Sequence, residues 1–233
     1  MIEVVFFDAG ETLLHPHPSF AELFSEVCRR NGVEVDPVDV RAAQERLAPH
    51  LVDLDESTGV EAPSLSAEGS RRFWSHLYTR LLEELDIADE RLVGELYATF
   101  SHMSSYKLFD DVLPVLDSLA RDGYRLGLIS NFERWLEEML IELEVGGHFE
   151  ITVISGVEGV EKPDVRIYEA ALEKAGVEAG RTVHVGDSPA LDVEPARAVG
   201  MNAVLVDRVG RYPETTGLRV DSLTEVPEIV SRL

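Results

Sequence analysis

Five residues have types and positions suited to chemistry on a charged substrate: Asp8, Ser130, Lys162, Asp187 and Asp192. Asp8 ends the apolar run Val4-Val5-Phe6-Phe7, and Ser130-Asn131 ends "YRLGLIS". Asp187 ends "TVHVGD", Asp192 follows it five residues on, and Lys162 sits in "EKPD" before a helical pattern. Three acids gathered at one edge repel, and burial raises their pKa values unless a cation joins them. Hard carboxylate oxygens suit Mg²⁺, which keeps waters free for exchange with a phosphate. Lys162 is able to pair with Asp8 and with an anionic substrate. The Ser130 hydroxyl, nearby backbone N–H groups and helix N-termini favour phosphoryl oxygens. A carboxylate facing a metal-neutralised phosphate is a nucleophile that forms an aspartyl-phosphate. Singly, each feature is ordinary: an acid after a strand, a serine cap, a surface helix entrance, a Gly-Asp turn. Their recurrence at successive strand ends is not.

Alternating elements must position them. From about residue 110, helical stretches alternate with the apolar runs 124–130, 149–155, 182–187 and 202–207. Continuous apolar strands between helices indicate a parallel sheet covered on both faces. In such sheets the ligand crevice lies beyond the strands' carboxyl ends. Residues 16–105 read as almost wholly helical. Ser19 and Glu22 form a capping-box pattern, Asn31-Gly32 a stop and Asp36-Pro37 a start. Phe73, Leu77, Leu81 and Leu85 mark a longer helix, a further one spans roughly 89–101, and the polar stretch 53–65 reads as a loop. The expected fold class is α/β: a core of residues 1–15 and 106–233, with a helical domain, 16–105, inserted after the first strand.

The 233 residues carry a net charge of −23, which argues against affinity for nucleic acid or anionic membrane. Arginine supplies most of the positive charge, since Lys107, Lys162 and Lys174 are the only lysines. The lone cysteine, Cys28, excludes an intramolecular disulfide and a cysteine-built zinc site, and its helical spacing makes it a packed thiol. No secretory signal or transmembrane run is visible, so a cytoplasmic, soluble protein is expected.

The constellation resembles the haloacid dehalogenase (HAD) superfamily of hydrolases along essentially the whole chain. "FFDAGET" is similar to the apolar strand and D-x-D-x-[TV] of the first motif, apart from its second aspartate. "LGLIS", Lys162 in "EKPDVRIY" and "VGDSPALD" match the second, third and fourth. "LISNF", "HVGDS" and the helical insert resemble the subgroup with a cap after the first motif. The resemblance implies a Rossmann-like parallel sheet with an α-helical cap domain that selects a small phosphorylated substrate. It implies Asp8 as nucleophile, and Mg²⁺ held by Asp8, the Gly10 carbonyl and Asp187, with Asp192 supporting the metal shell. It assigns phosphate binding to Ser130, the Asn131 backbone and, to a lesser degree, Thr12, and makes Lys162 steady Asp8 and the transferring group.

The departure is Gly10. In the family's phosphatases that position carries the aspartate that protonates the leaving group and then activates water. Glycine keeps the carbonyl and removes the acid/base, a term worth roughly 10²–10⁴-fold. Glu11 is adjacent but one residue off. A Mg²⁺-dependent phosphohydrolase is therefore weighed against a weakly active or non-catalytic phosphate- and metal-binding protein. A 2-haloacid dehalogenase shares Ser-Asn at the second motif but typically lacks an acid at the position of Asp187. A C–P bond hydrolase needs a cap lysine, and residues 1–106 contain none. His15 and His17 read as a proline-rigidified linker, Trp74 and Tyr78 as core, Arg134 as a solvated face, and His184 as packed inside its strand. Oligomeric state is left open.

Overall fold

The computed structural model describes residues 1–48 and 62–233. Most of the expected loop at 53–65 lies outside these residues; Pro63–Leu65 forms a single 3₁₀ turn. The strands are β1 (Val4–Phe7), β2 (Leu14–Pro16), β3 (Tyr106–Leu108), β4 (Arg125–Ser130), β5 (Ile151–Ile154), β6 (Thr182–Gly186), β7 (Asn202–Val206) and β8 (Leu218–Val220). Two compact units are formed, one from Met1–Leu14 and Leu108–Leu233, the other from His15–Lys107. Among the described residues no helix is long and apolar enough to cross a membrane.

The first unit is built on a six-stranded sheet of order β5-β4-β1-β6-β7-β8. Every pairing in it is parallel. All four β1 side chains are fully buried, which explains why that strand reads as unbroken apolar sequence rather than alternation. From β1 the chain runs outward to β4 and β5 on one side and to β6, β7 and β8 on the other. The strand order reverses at β1, and such a switch point opens a crevice at the carboxyl edge. Phe7 pairs with Leu128 of β4 and Val185 of β6. Asp8, the next residue, therefore leaves the sheet at the centre of that edge, between the ends of β4 and β6.

Helices cover the sheet through stripes at helical spacing. Val112, Val115, Leu116 and Leu119 are the buried face of Val112–Arg121. Ile167, Tyr168, Ala171 and Ala175 are that of Val165–Ala175, which packs with Phe6, Ile129, Val153 and Leu205 in one core. The three-residue strands β2, β3 and β8 were not expected; each is too short to carry a periodic signal.

The second unit is helical: Phe20–Arg30, Pro37–Leu47, Ala67–Glu84 and Glu90–Phe100. Ser19 caps the first as the sequence indicates, its Oγ accepting from the Glu22 N–H at 3.2 Å and donating to Glu22 Oε2 at 2.7 Å. Cys28 is buried, and burial pushes its thiol pKa up to about 11. Tyr78 is core, with Phe20 and Phe100 stacked around it. Trp74 is not: it is 41% exposed, one turn earlier on the helix, with only one ring face on Tyr78.

Gly127 of β4 is glycine because Phe6 fills its space; a Cβ there would lie 2.4 Å from the Phe6 ring. The ring is fully buried and unable to retreat. Gly127→Ala is expected to destabilise the fold by about 1–3 kcal/mol. Gly180→Ala, at a position with nothing within 4 Å, is the control and should be near neutral. Urea unfolding midpoints of the two variants measure the difference.

Candidate active site

Asp8 is held by its backbone first: its N–H donates to the Val185 carbonyl at 2.9 Å, extending β1 one step along β6. Its side chain is buried, and Oδ1 accepts from Lys162 Nζ at 2.6 Å. No group among the described residues donates to its second oxygen, Oδ2.

Lys162 arrives from a loop before the helix Val165–Ala175, yet it is only 3% exposed. What fixes it is the side chain of Asn131. Nδ2 of Asn131 donates to the Lys162 carbonyl at 2.8 Å, and Oδ1 accepts from the Lys162 N–H at 2.7 Å. Asn131 thus spends its amide on the lysine's backbone. A second reciprocal clamp lies alongside, where Ser155 Oγ accepts from Phe132 N–H at 2.9 Å and donates to the Phe132 carbonyl at 3.1 Å. Together they pin the segment after β4, which follows the buried Ser130, to the segment after β5.

The ammonium of Lys162 also reaches Asp192 Oδ1, again at 2.6 Å. Asp192 lies in a widened helical turn, Pro189–Val193, in which the Val193 N–H reaches back to the Ser188 carbonyl. Turns of this kind recur at functional sites. Its Oδ2 accepts from the Ser188 N–H at 2.9 Å, and its Oδ1 also bonds His184 Nε2 at 3.0 Å. Gly186 makes room for this carboxylate: a Cβ there would sit 2.3 Å from Asp192 Cγ. His184 is wholly buried, as its strand position suggests, but it is hydrogen-bonded to the acidic cluster and not merely packed. The sequence reading missed this contact; the signal available was its place in the register, two residues before Gly186 on the same strand face.

Asp187, half-buried, completes the cluster. Carboxylate oxygens of Asp8, Asp187 and Asp192 lie within 4.8 Å of one another. Burial raises the pKa of Asp8, Asp192 adds to it, and Lys162 opposes it. Asp187 is pushed well above the ordinary carboxylate value by loss of hydration, then by Asp8 and Asp192. Burial acts against ionisation of Asp192 too, but the Lys162 ammonium and the His184 hydrogen bond outweigh it and hold the acid below its usual range. Lys162 stays charged: burial disfavours its ammonium, and Asp192 and Asp8 more than compensate. One lysine thus faces three acids, two of which resist ionisation. This excess of hard oxygens suits a divalent cation.

Thr12 is wholly buried; its Oγ1 has no hydrogen-bond partner, and its carbonyl accepts from Arg208 Nη2 at 2.9 Å. The same guanidinium grips Asp111 with bonds of 2.9 and 3.0 Å and stacks on Phe109 at 3.8 Å. This anchors the loop after β1, a role sequence reading did not assign to Arg208. Gly10 has a φ outside the left-handed region and open space where a Cβ would stand, so neither backbone nor packing demands glycine there. Glu11 does have a left-handed φ, +54°, at a cost of about 1 kcal/mol for a residue with a side chain. It lines a cleft with Asp187, Arg211 and Tyr212. Asp207 holds that wall, accepting from the N–H groups of Arg211 and Tyr212 at 2.7 and 3.0 Å. Arg134 is exposed, as expected.

A model of the haloacid dehalogenase-like hydrolases matches residues 2–200. The chain is 30% identical over 213 residues to the human haloacid dehalogenase-like hydrolase domain-containing protein 3, covering 88% of this chain and 82% of that one. It is 32% identical over 244 residues to the phosphoserine phosphatase of Thermus thermophilus, covering 97% and 98%. In fold it is similar to a putative HAD-hydrolase of Bacillus subtilis bound to magnesium, with a TM-score of 0.74 at 16% identity over 99% of both chains. The sheet order, the acids at its carboxyl edge and a family match over most of the sequence agree: the chain belongs to the haloacid dehalogenase-like hydrolases.

Proposed function

We propose that this protein is a Mg²⁺-dependent phosphohydrolase that cleaves a small phosphorylated metabolite through an aspartyl-phosphate, with the helical unit as its cap. The observation that carries the reading is the Lys162 ammonium, 2.6 Å from Asp8 Oδ1, in a cluster that leaves Asp8 Oδ2 without a donor. Lys162 favours the ionised carboxylate and directs it, and Oδ2 attacks phosphorus. The bond from phosphorus to the leaving oxygen breaks, and its electron pair departs with that oxygen. Water then attacks phosphorus, the bond from phosphorus to Asp8 Oδ2 breaks with its electron pair returning to the carboxylate, and the water's proton passes to solvent or the released phosphate. Asp8, the Gly10 carbonyl and Asp187 would hold Mg²⁺, with Asp192 in support, and the ion would offset the repulsion between carboxylate and phosphate. Ser130 Oγ and the Asn131 N–H take phosphoryl oxygens; the Asn131 side chain, committed to Lys162, does not. Thr12 contributes through the loop it belongs to. The similarity to a phosphoserine phosphatase supports phosphoryl chemistry, and the retained Asp187 argues against dehalogenation.

A second reading, a phosphate- and metal-binding protein with little turnover, draws on Gly10. The position separates the two readings because its space is open. Activity is measured with Mg²⁺ on a panel of phosphomonoesters and acyl phosphates. The wild type is expected to favour acyl phosphates, whose leaving groups need no proton. Asp8→Asn should lower turnover by on the order of 10³-fold or more. Gly10→Asp should raise kcat on phosphomonoesters by about 10²-fold. A wild type and a Gly10→Asp variant that both bind phosphate and turn over nothing would leave the binding reading standing.

Metal binding should depend on pH in a defined direction. Asp8 and Asp187 have raised pKa values, so protons compete with the cation as pH falls toward those values. Asp192, held below its ordinary value of 3.8, stays ionised throughout and adds nothing to this window. Without metal, the raised groups favour the folded state as pH falls through their folded values, whereas the Asp192 contribution is lost only at lower pH. The rise in Tm on adding Mg²⁺ should therefore be larger at pH 8 than at pH 5. Thermal unfolding with and without a chelator measures it; an equal rise at both pH values would contradict the assignment.

A further inference from the structure

We infer that His184 is a positioning residue: through Asp192 it sets where the Lys162 ammonium stands, and so orients the Asp8 nucleophile. This rests on the phosphohydrolase reading for its kinetic consequence but not for its geometry.

β6 presents His184 and Gly186 on one face. The missing side chain at Gly186 leaves a hollow, which the Asp192 carboxylate fills. His184 closes the hollow from behind, with Nε2 at 3.0 Å from Asp192 Oδ1. An ionised carboxylate only accepts, so Nε2 carries the proton. Nδ1 is buried with no hydrogen-bond partner. Tyr168 fixes the ring plane edge-on at 5.4 Å and donates its hydroxyl to the Leu191 carbonyl, inside the turn that carries Asp192.

The consequence is a chain of contacts. Asp192 Oδ1 is shared between Lys162 Nζ and His184 Nε2, at 2.6 and 3.0 Å, and Asp8 Oδ1 holds the other side of the same ammonium at 2.6 Å. Two carboxylates thus compete for one lysine. The imidazole N–H satisfies part of Asp192 and keeps it from drawing the ammonium away from Asp8. Without that donor, Lys162 moves toward Asp192, and Asp8 loses both its direction and its counter-charge. Substrate phosphate is held elsewhere, by Ser130 and the Asn131 N–H, so the loss falls on kcat more than on KM.

His184→Leu removes the donor at similar volume, while His184→Gln keeps an N–H near the position of Nε2. With Mg²⁺ and the best phosphorylated substrate of the panel, His184→Leu is expected to lose about 10–100-fold in kcat with KM within about threefold. His184→Gln should recover most of the loss. Equal losses in both variants, or a change confined to KM, would overturn the inference. Should His184→Leu fail to fold, His184→Gln and the imidazole ¹⁵N spectrum of the wild type still decide it. That spectrum, at neutral pH without metal, should show a protonated Nε2, with Nε2 shifting in Asp192→Ala. A protonated Nδ1 beside a bare Nε2, or no shift, overturns the inference. A wild type that turns over no substrate sinks the phosphohydrolase reading instead, and the spectrum then decides the His184 contact alone.

Discussion

The site depends on one ammonium group between two carboxylates. Lys162 Nζ is buried at 2.6 Å from both Asp8 and Asp192. A buried charge is costly unless paired, and a pair is costly to break because it strands the partner. Two partners make the arrangement hard to disturb from either side. They also leave more carboxylates than one ammonium can offset, and Asp187 stands beside them. Asn131 and the widened turn at 189–193 hold the two ends of the pair. The first fixes the lysine's backbone, and the second turns Asp192 inward over Gly186. The glycines at 127 and 186 serve the same end by letting Phe6 and Asp192 approach the sheet more closely than any side chain would permit.

Much of this was legible before any coordinates. Apolar runs without alternation identified the parallel strands, and strand ends identified Asp8, Ser130 and Asp187. The capping pairs at Ser19 and Asp36 marked helix starts, because a cap is a local interaction written within a few residues. What was hidden is long-range or short. Asn131 and Lys162 are 31 residues apart, and the Asn131 amide meets the backbone of Lys162, which leaves no mark on the lysine's residue type. Arg208 reaches Asp111, 97 positions away, as one arginine among many on an acidic chain. β2, β3 and β8 are three residues each and carry no period. Trp74 lies on an apolar-looking helix face whose edge is open to solvent, a distinction that spacing alone does not draw.

Gly10 and Glu11 pose a sharper case. A glycine after a catalytic acid is easily read as a turn requirement. Here the conformational demand falls on the next residue: Glu11, not Gly10, takes the left-handed backbone. The glycine stands where no glycine is needed, and a side-chain-bearing residue stands where glycine would be easier. Strain of this kind persists only where the surroundings hold it, as the 2.7 Å bond from Glu11 N–H to the Leu14 carbonyl does. The first motif therefore keeps Asp8 and its turn, and the Glu11 side chain lines the cleft beside Asp187.

The choice of lysine at the centre follows from the same physics. The chain uses only three lysines, and arginine does most pairing elsewhere. Arg125, for example, grips Glu150 with its planar fork, and Arg208 grips Asp111. A guanidinium is suited to one flat, bidentate partner; an ammonium is a compact point charge with three donors in different directions. Two carboxylates facing each other across a buried gap need the second kind. Once both are satisfied, one donor is left over. An arginine at 162 would need more room than a 3% exposed side chain has, and would bind one acid at the expense of the other. The acid that lost would be a buried carboxylate without its counter-charge. Either loss takes the same site apart.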